Sequence, residues 1–123
     1  MYKNIFISQP MTGKSEEEIL ATRQKPIDEI HQLFDADGEQ VNIIASYIDD
    51  ATRKRFEERV SDNINWDIYW LSKSLERLAI ADTIWLCDGW GHSKGCKIEL
   101  ECALKYGLDI VSSEWRLSLN DGK

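Results

Sequence analysis

The hydrophobic pattern divides the chain into short apolar runs separated by longer amphipathic stretches. Residues 3–8, "KNIFIS", are β-prone and run into "QPMTGK", so a strand followed by a Pro- and Gly-containing loop is expected. From Ser15 to about Phe34, the positions Ile19, Leu20, Ile27, Ile30, Leu33 and Phe34 recur at helical spacing. Ser15 with Glu18 three residues later is a capping-box signature for the start of that helix. Pro26 falls inside it and is expected to kink or split it. "DADGEQ" is turn chemistry, and "VNIIAS" (41–46) reads as a second strand. Residues 47–61 are highly charged and fit either a short exposed helix or a loop.

From about Asp62 to Ala81, Ile64, Ile68, Leu71, Leu75 and Leu78 step by threes and fours, the clearest amphipathic helix in the chain. "DTIWLCD" (82–88) reads as a fully buried strand. A Gly-rich loop follows, then a helix from about Ser93 to Tyr106, then a fourth strand in "LDIVSS" (108–113). The tail "EWRLSLNDGK" shows no clear period. Alternating strands and helices imply right-handed crossovers and a three-layer α/β/α domain. The sheet should be mainly parallel, four- to five-stranded and Rossmann/flavodoxin-like. Ligands in such sheets bind at the carboxyl ends of strands, near a topological switch point. The loops "SQPMTGK" and "DGWGHSKG" both follow strands and should meet on that edge.

Composition narrows the class of function. A chain of 123 residues suits one domain with a real core. A net charge of −7 argues against a nucleic-acid polymer as partner. It leaves room for a small anionic ligand at a helix N-terminus. No apolar run approaches membrane-spanning length, and the N-terminus lacks a signal-peptide layout, so a cytoplasmic protein with no membrane partner is expected. Cys87, Cys96 and Cys102 are an odd set without a CxxC pair, which fits free thiols in a reducing compartment. With only His31 and His92 besides, neither a metal site nor a cofactor is expected.

One residue conflicts with the pattern. On a helical wheel of ~100° per residue, Lys94, Lys97, Glu101 and Lys105 gather on one side. Glu101 is thereby a solvated partner in a lysine-flanked row. The remaining arc holds Cys96, Ile98, Leu100, Cys102, Ala103, Leu104, Tyr106 and Gly107, and Glu99 falls near its middle. Burying an unpartnered carboxylate costs several kcal/mol. Either Glu99 is locked to an internal arginine such as Arg77 or Arg23, or it opens into the ligand cleft, where the helix dipole would help to keep it ionised. An ionised carboxylate in a partly dry cleft suits a nucleophile or a stabiliser of positive charge. In the preceding loop, Gly89, Gly91 and Gly95 permit close backbone approach. Ser93 is a natural N-cap that could also bond an anion. Trp90 is either a core plug or a stacking wall for a base, and His92 either an exposed loop residue or an acid–base group.

Three stretches carry a family resemblance. "IFISQPMTG" is close to the "YISGPMTG" of a small bacterial and phage branch of the nucleoside 2-deoxyribosyltransferase-like superfamily. "ADTIWLCDGWGHSKGCKIELECALKYG" is similar to that branch's pattern of Asp, apolar strand, Gly-Trp, Ser-x-Gly, Glu and small-residue helix. "GEQVNIIA" fits its second strand. The resemblance implies a single domain over residues 1–123 that breaks or exchanges N-glycosidic bonds of nucleosides or nucleotides. It implies that Glu99 is the nucleophile attacking the sugar C1′, in the manner of retaining glycosidases. Ser93 takes the place of a phosphate-contacting serine in relatives acting on nucleoside monophosphates, with Thr12 and Lys14 nearby or as plain loop residues. Substrate contacts are implied for Ser8, Gln9, Met11, Thr12, Gly13, Ser74, Asp88, Gly89, Trp90, Ser93 and Gly95.

The chain departs from that pattern too. Ser74-Leu75 stands where the family usually has Asp-Leu, and Phe6 and Gln9 replace its Tyr and Gly. Lost orienting groups weaken positioning, which carries much of such catalysis. Asp88 is a candidate substitute. The rival expectation is a catalytically silent nucleotide binder, for instance a phage protein that sequesters a nucleotide signal. A purely structural or interaction domain is a third. Superfamily members often complete each site with a neighbouring subunit, so a homo-oligomer is implied, with Trp115 a candidate for its interface.

Overall fold

The computed structural model describes residues 2–11, 14–35, 38, 40–45, 50–59 and 63–112. Strands β1 (Tyr2–Ser8), β2 (Gln40–Ala45), β3 (Thr83–Leu86) and β4 (Asp109–Ser112) form one sheet in the order β2-β1-β3-β4. Every neighbouring pair is parallel. Helices α1 (Glu16–Asp35), α2 (Asp50–Arg59), α3 (Trp66–Leu78) and α4 (Lys94–Lys105) complete the three-layer α/β/α arrangement.

The two-residue period of the strands sorts the core into two layers. Ile5, Ile7, Trp85, Cys87 and Val111 pack with Ile30 of α1 on one face. Phe6, Ile44, Ile84, Leu86 and Ile110 pack with Leu78 of α3 and Ala103 of α4 on the other. Both faces of β3 are covered, and all four of its residues are buried. Each large apolar side chain taken out of water stabilises the fold by about 1.5–3 kcal/mol. At the amino end of the sheet, the Asp82 carboxylate accepts the Asn4 N–H at 2.9 Å and the Thr83 hydroxyl at 2.8 Å.

Several expectations change in detail. Helix α1 continues as one element across Pro26, whose ring is buried in the interface. Tertiary packing there outweighs the one helical hydrogen bond that proline forfeits. Ser15 closes the capping box in both directions: its hydroxyl accepts the Glu18 N–H at 3.1 Å, and its own N–H donates to Glu18 Oε1 at 3.3 Å. Helix α3 starts later than the apolar pattern predicts, because Asn65 caps it by accepting the Ile68 N–H at 3.1 Å. Ile64 precedes that helix, and Asp62 lies outside the described residues, as do Ser46 and Ser113. Ile68, Leu20, Leu33, Ile98, Leu104 and Tyr106 are exposed, so the buried stripes are narrower than the apolar residues alone suggest.

The charged segment 47–61 contains α2, whose foothold is aromatic. Phe56 stacks on Tyr69 at 5.0 Å between ring centroids and meets Trp66 and Trp70 edge-on. Trp70 donates its indole N–H to Glu57 at 2.7 Å. A hollow of about 370 Å³ beside this cluster is lined by Phe56, Tyr69, Trp70, Lys73 and Arg77 and includes none of the residues around Glu99. Among the described residues, no helix is long and apolar enough to cross a membrane.

From β1 the chain moves outward to β2 on one side. It then crosses back to β3 on the other, so the switch point lies between β1 and β3. The Cys87 N–H donates to Ser8 C=O at 3.0 Å there, holding the two strand ends together.

Candidate functional site

At this switch point Ser8 ends β1, with its side chain on the same face as Phe6, towards α3 and α4. Ser74 occupies the core-facing side of α3, one turn before Leu78. Glu99 projects from the second turn of α4 into the space between them. It is only 5% exposed. Ser8 Oγ donates to Glu99 Oε1 at 2.6 Å, and Ser74 Oγ donates to Oε2. The partners of the carboxylate are thus two serines from two elements, not Arg77 or Arg23.

Burial pushes the Glu99 carboxyl above the ordinary carboxylate range, and the Ser74 and Ser8 hydrogen bonds pull it back down. The hydroxyls are therefore the groups that favour the ionised form. The helix dipole adds little, since its effect is confined to the first turn and Glu99 lies beyond it.

One further group joins the network. Cys96 is one turn before Glu99 and 2% exposed. Burial raises its thiol pKa, while hydrogen bonding with Ser8 and Ser93 lowers it and the Glu99 carboxylate raises it further. Cys96 was not among the expected site residues, although its i−3 spacing from Glu99 puts both on one helix face. Ser93 is the N-cap of α4, and its hydroxyl accepts the Cys96 N–H at 3.3 Å. Ser93, Cys96, Ser8, Glu99 and Ser74 form one buried-to-rim polar strip.

The other expected residues separate into packing and rim positions. Gln9 is buried and donates its side-chain amide to Ile19 C=O at 2.9 Å and to Thr22 Oγ1 at 2.8 Å, tying the first loop to α1. Met11 is half-buried, and its carbonyl accepts the Lys14 N–H at 3.1 Å. Lys14 is exposed, and Thr12 and Gly13 lie outside the described residues, as does Trp115. Asp88 is engaged in an exposed ion pair with Lys25 of α1 at 2.9 Å. Gly89 adopts φ +85°, a left-handed turn that glycine makes without strain, and an added Cβ there would lie 3.7 Å from Pro10 Cγ. The two loops therefore do meet on one edge. Trp90 is half-buried and packs against the core that contains Leu86 and Phe6. Gly95 faces α3, where an added Cβ would make ordinary contact with Leu71 Cδ1 at 4.0 Å. His92 is exposed on the 3₁₀ turn Trp90–His92. Glu101 pairs with Lys105 at 3.4 Å on the solvent side.

No group of three His, Cys, Asp or Glu among the described residues could hold a metal ion. Chemically, the site offers one buried carboxylate with two fixed hydroxyl donors and a helix N-terminus one turn away. It lies where parallel sheets accept ligands. The model of the family described as "Domain of unknown function (DUF4406)" matches residues 3–112, and the chain belongs to that family. No curated protein and no solved structure gives a significant match.

Proposed function

We propose that this DUF4406 chain cleaves or exchanges the N-glycosidic bond of a nucleotide or nucleoside, with Glu99 as the nucleophile. The observation that carries the reading is the buried Glu99 carboxylate, held by Ser8 and Ser74 at the switch point between β1 and β3. The resemblance of the Gly-Trp, Ser-x-Gly and Glu block to nucleoside 2-deoxyribosyltransferase-like proteins supports the same role. Glu99 attacks C1′, the base departs, and a glycosyl ester forms on the carboxylate. A second base or water resolves the ester, giving transfer or hydrolysis. Ser93, the N-cap of α4, would contact the phosphate of a nucleotide through its hydroxyl and the adjacent amides. The same resemblance implies a homo-oligomer.

A second reading is favoured by a specific observation. Both Glu99 oxygens are engaged and the side chain is nearly sealed, an arrangement that also suits a nucleotide binder without turnover. Incubation with a panel of nucleosides and nucleoside monophosphates, followed by chromatography for free base, separates the two. Release that is lost in Glu99→Ala while the variant stays folded supports the enzyme. Release that persists in Glu99→Ala refutes the nucleophile. Thermal stabilisation by a nucleotide without any base release supports the binder.

A further inference from the structure

The groups around Glu99 constrain the leaving group, an inference that rests on Glu99 being the nucleophile. When an N-glycosidic bond breaks, its electron pair goes to the base nitrogen. A neutral base then leaves as an anion unless an acid protonates it, and such an acid contributes roughly 10²–10⁴-fold in rate. In this site the two hydroxyl protons nearest the carboxylate are directed at the carboxylate itself. The Ser8 hydroxyl points its proton at Glu99 Oε1, and the Ser74 hydroxyl points its own at Oε2. Ser93 accepts from the Cys96 amide at the helix cap, which leaves its own proton uncommitted, but an aliphatic hydroxyl is too weak an acid to protonate a departing base. Asp88, the one carboxyl in the neighbouring loop, is more than half exposed and ion-paired with Lys25 at 2.9 Å. His92 faces solvent on the rim. Among the described residues, Glu99 is the only carboxyl within this hydroxyl network, and as nucleophile it is unprotonated.

We propose that the substrate is an N-glycoside whose base is already cationic, a pyridinium or N-alkylated purine nucleotide or nucleoside. A Glu99 oxygen forms a bond to C1′ as the C1′–N bond breaks. The electron pair moves onto the ring nitrogen and cancels its positive charge, so the base departs neutral with no proton supplied. Water then bonds to C1′, the C1′–O bond to Glu99 breaks and returns its pair to the carboxylate, and the water proton passes to solvent. The products are free sugar or sugar phosphate, neutral base and one proton per turnover.

The test compares matched substrates in both the ribose and 2-deoxyribose series. A guanine nucleotide and nucleoside are set against their N7-methylated forms, with a nicotinamide nucleotide and nucleoside as pyridinium probes. Base release is followed by chromatography with the wild-type chain and with Glu99→Ala, and the rate without protein is subtracted. The expected result is Glu99-dependent release from the cationic glycosides, at least about 100-fold faster than from neutral partners. Neutral and cationic members cleaved within about tenfold of each other would overturn the inference while leaving Glu99 as nucleophile. Wild type no faster than Glu99→Ala on every member overturns the nucleophile and, with it, the inference.

Discussion

Replacing Glu99 by glutamine should stabilise the folded protein near neutral pH. The carboxylate is 5% exposed, and taking such a charge out of water costs several kcal/mol after relaxation. The Ser8 and Ser74 hydrogen bonds to a charged acceptor return about 1.5–3 kcal/mol each. Burial still wins, because the pKa of Glu99 is raised in spite of both bonds. A glutamine side chain would be neutral and nearly the same shape. Its carbonyl can accept from one serine while its amide donates to the other, so both bonds survive at about 0.5–1.5 kcal/mol each. The expected gain is about 1–2 kcal/mol at pH 7.5, or roughly 4–8 °C in Tm for a domain of this size. The sign follows from linkage. A carboxyl whose folded pKa exceeds its unfolded value binds its proton more tightly in the fold. Wild-type stability from that proton is full below the unfolded pKa and is lost as pH rises through the folded one. Urea titrations of both proteins from pH 4 to 8 should therefore show curves that converge at the acid end and separate towards neutrality. A Glu99→Gln chain less stable than wild type at pH 7.5, or a gap that does not change with pH, would refute the picture of a charge held against its desolvation.

Three other outcomes follow from the geometry. Gly89→Ala should cost about 1–2 kcal/mol in urea denaturation, because its φ of +85° strains an L-residue while the nearest atom, Pro10 Cγ at 3.7 Å, leaves room for the methyl. Gly91→Ala, with nothing within 4 Å of its Cβ, is the control and should change stability by less than about 0.5 kcal/mol. Ser93→Ala should cost about 1 kcal/mol through loss of the α4 cap, and Ser93→Gly only a few tenths. If Ser93 also binds phosphate, both variants should weaken nucleotide affinity alike in calorimetry. The Cys87 thiol, pushed up to about 12 mainly by burial, should react with iodoacetamide at pH 8 at least about a thousandfold more slowly than a free cysteine, as read by peptide mass mapping of the native protein.

The sheet was legible because β-strands announce themselves by apolar runs bounded by turn residues, and "KNIFIS", "VNIIAS", "DTIWLCD" and "LDIVSS" each became a strand. Glu99 was legible for the opposite reason: it breaks the period of an otherwise apolar helix face, and a break is informative only where the rest of the face is buried. Ile98, Leu104 and Tyr106 show the limit of that signal, since each reads as core on the wheel and each is exposed. An exposed apolar residue is ordinary, whereas a buried carboxylate needs an explanation. Helix α2 stayed ambiguous because its charges carry no period. Its docking depends on Phe56 reaching Trp66, Tyr69 and Trp70, which sit beyond a turn.

Ser74 was the hardest residue to read, and the structure changes its meaning most. As one serine among polar residues of a helix it carries no sequence signal, and by resemblance it marks only a missing aspartate. Its contact with Glu99 forms where α3 and α4 pack side by side, with Leu71 of α3 beside Gly95 of α4, close enough for a short side chain to reach across. An aspartate in its place would set two carboxyls face to face in a buried site, where like charges force one to hold a proton. Serine instead donates to Glu99 and favours the ionised form, the form that the proposed nucleophile requires. The cost is that the same position no longer holds an acid. That exchange, more than any missing orienting group, is what the cationic-leaving-group test interrogates.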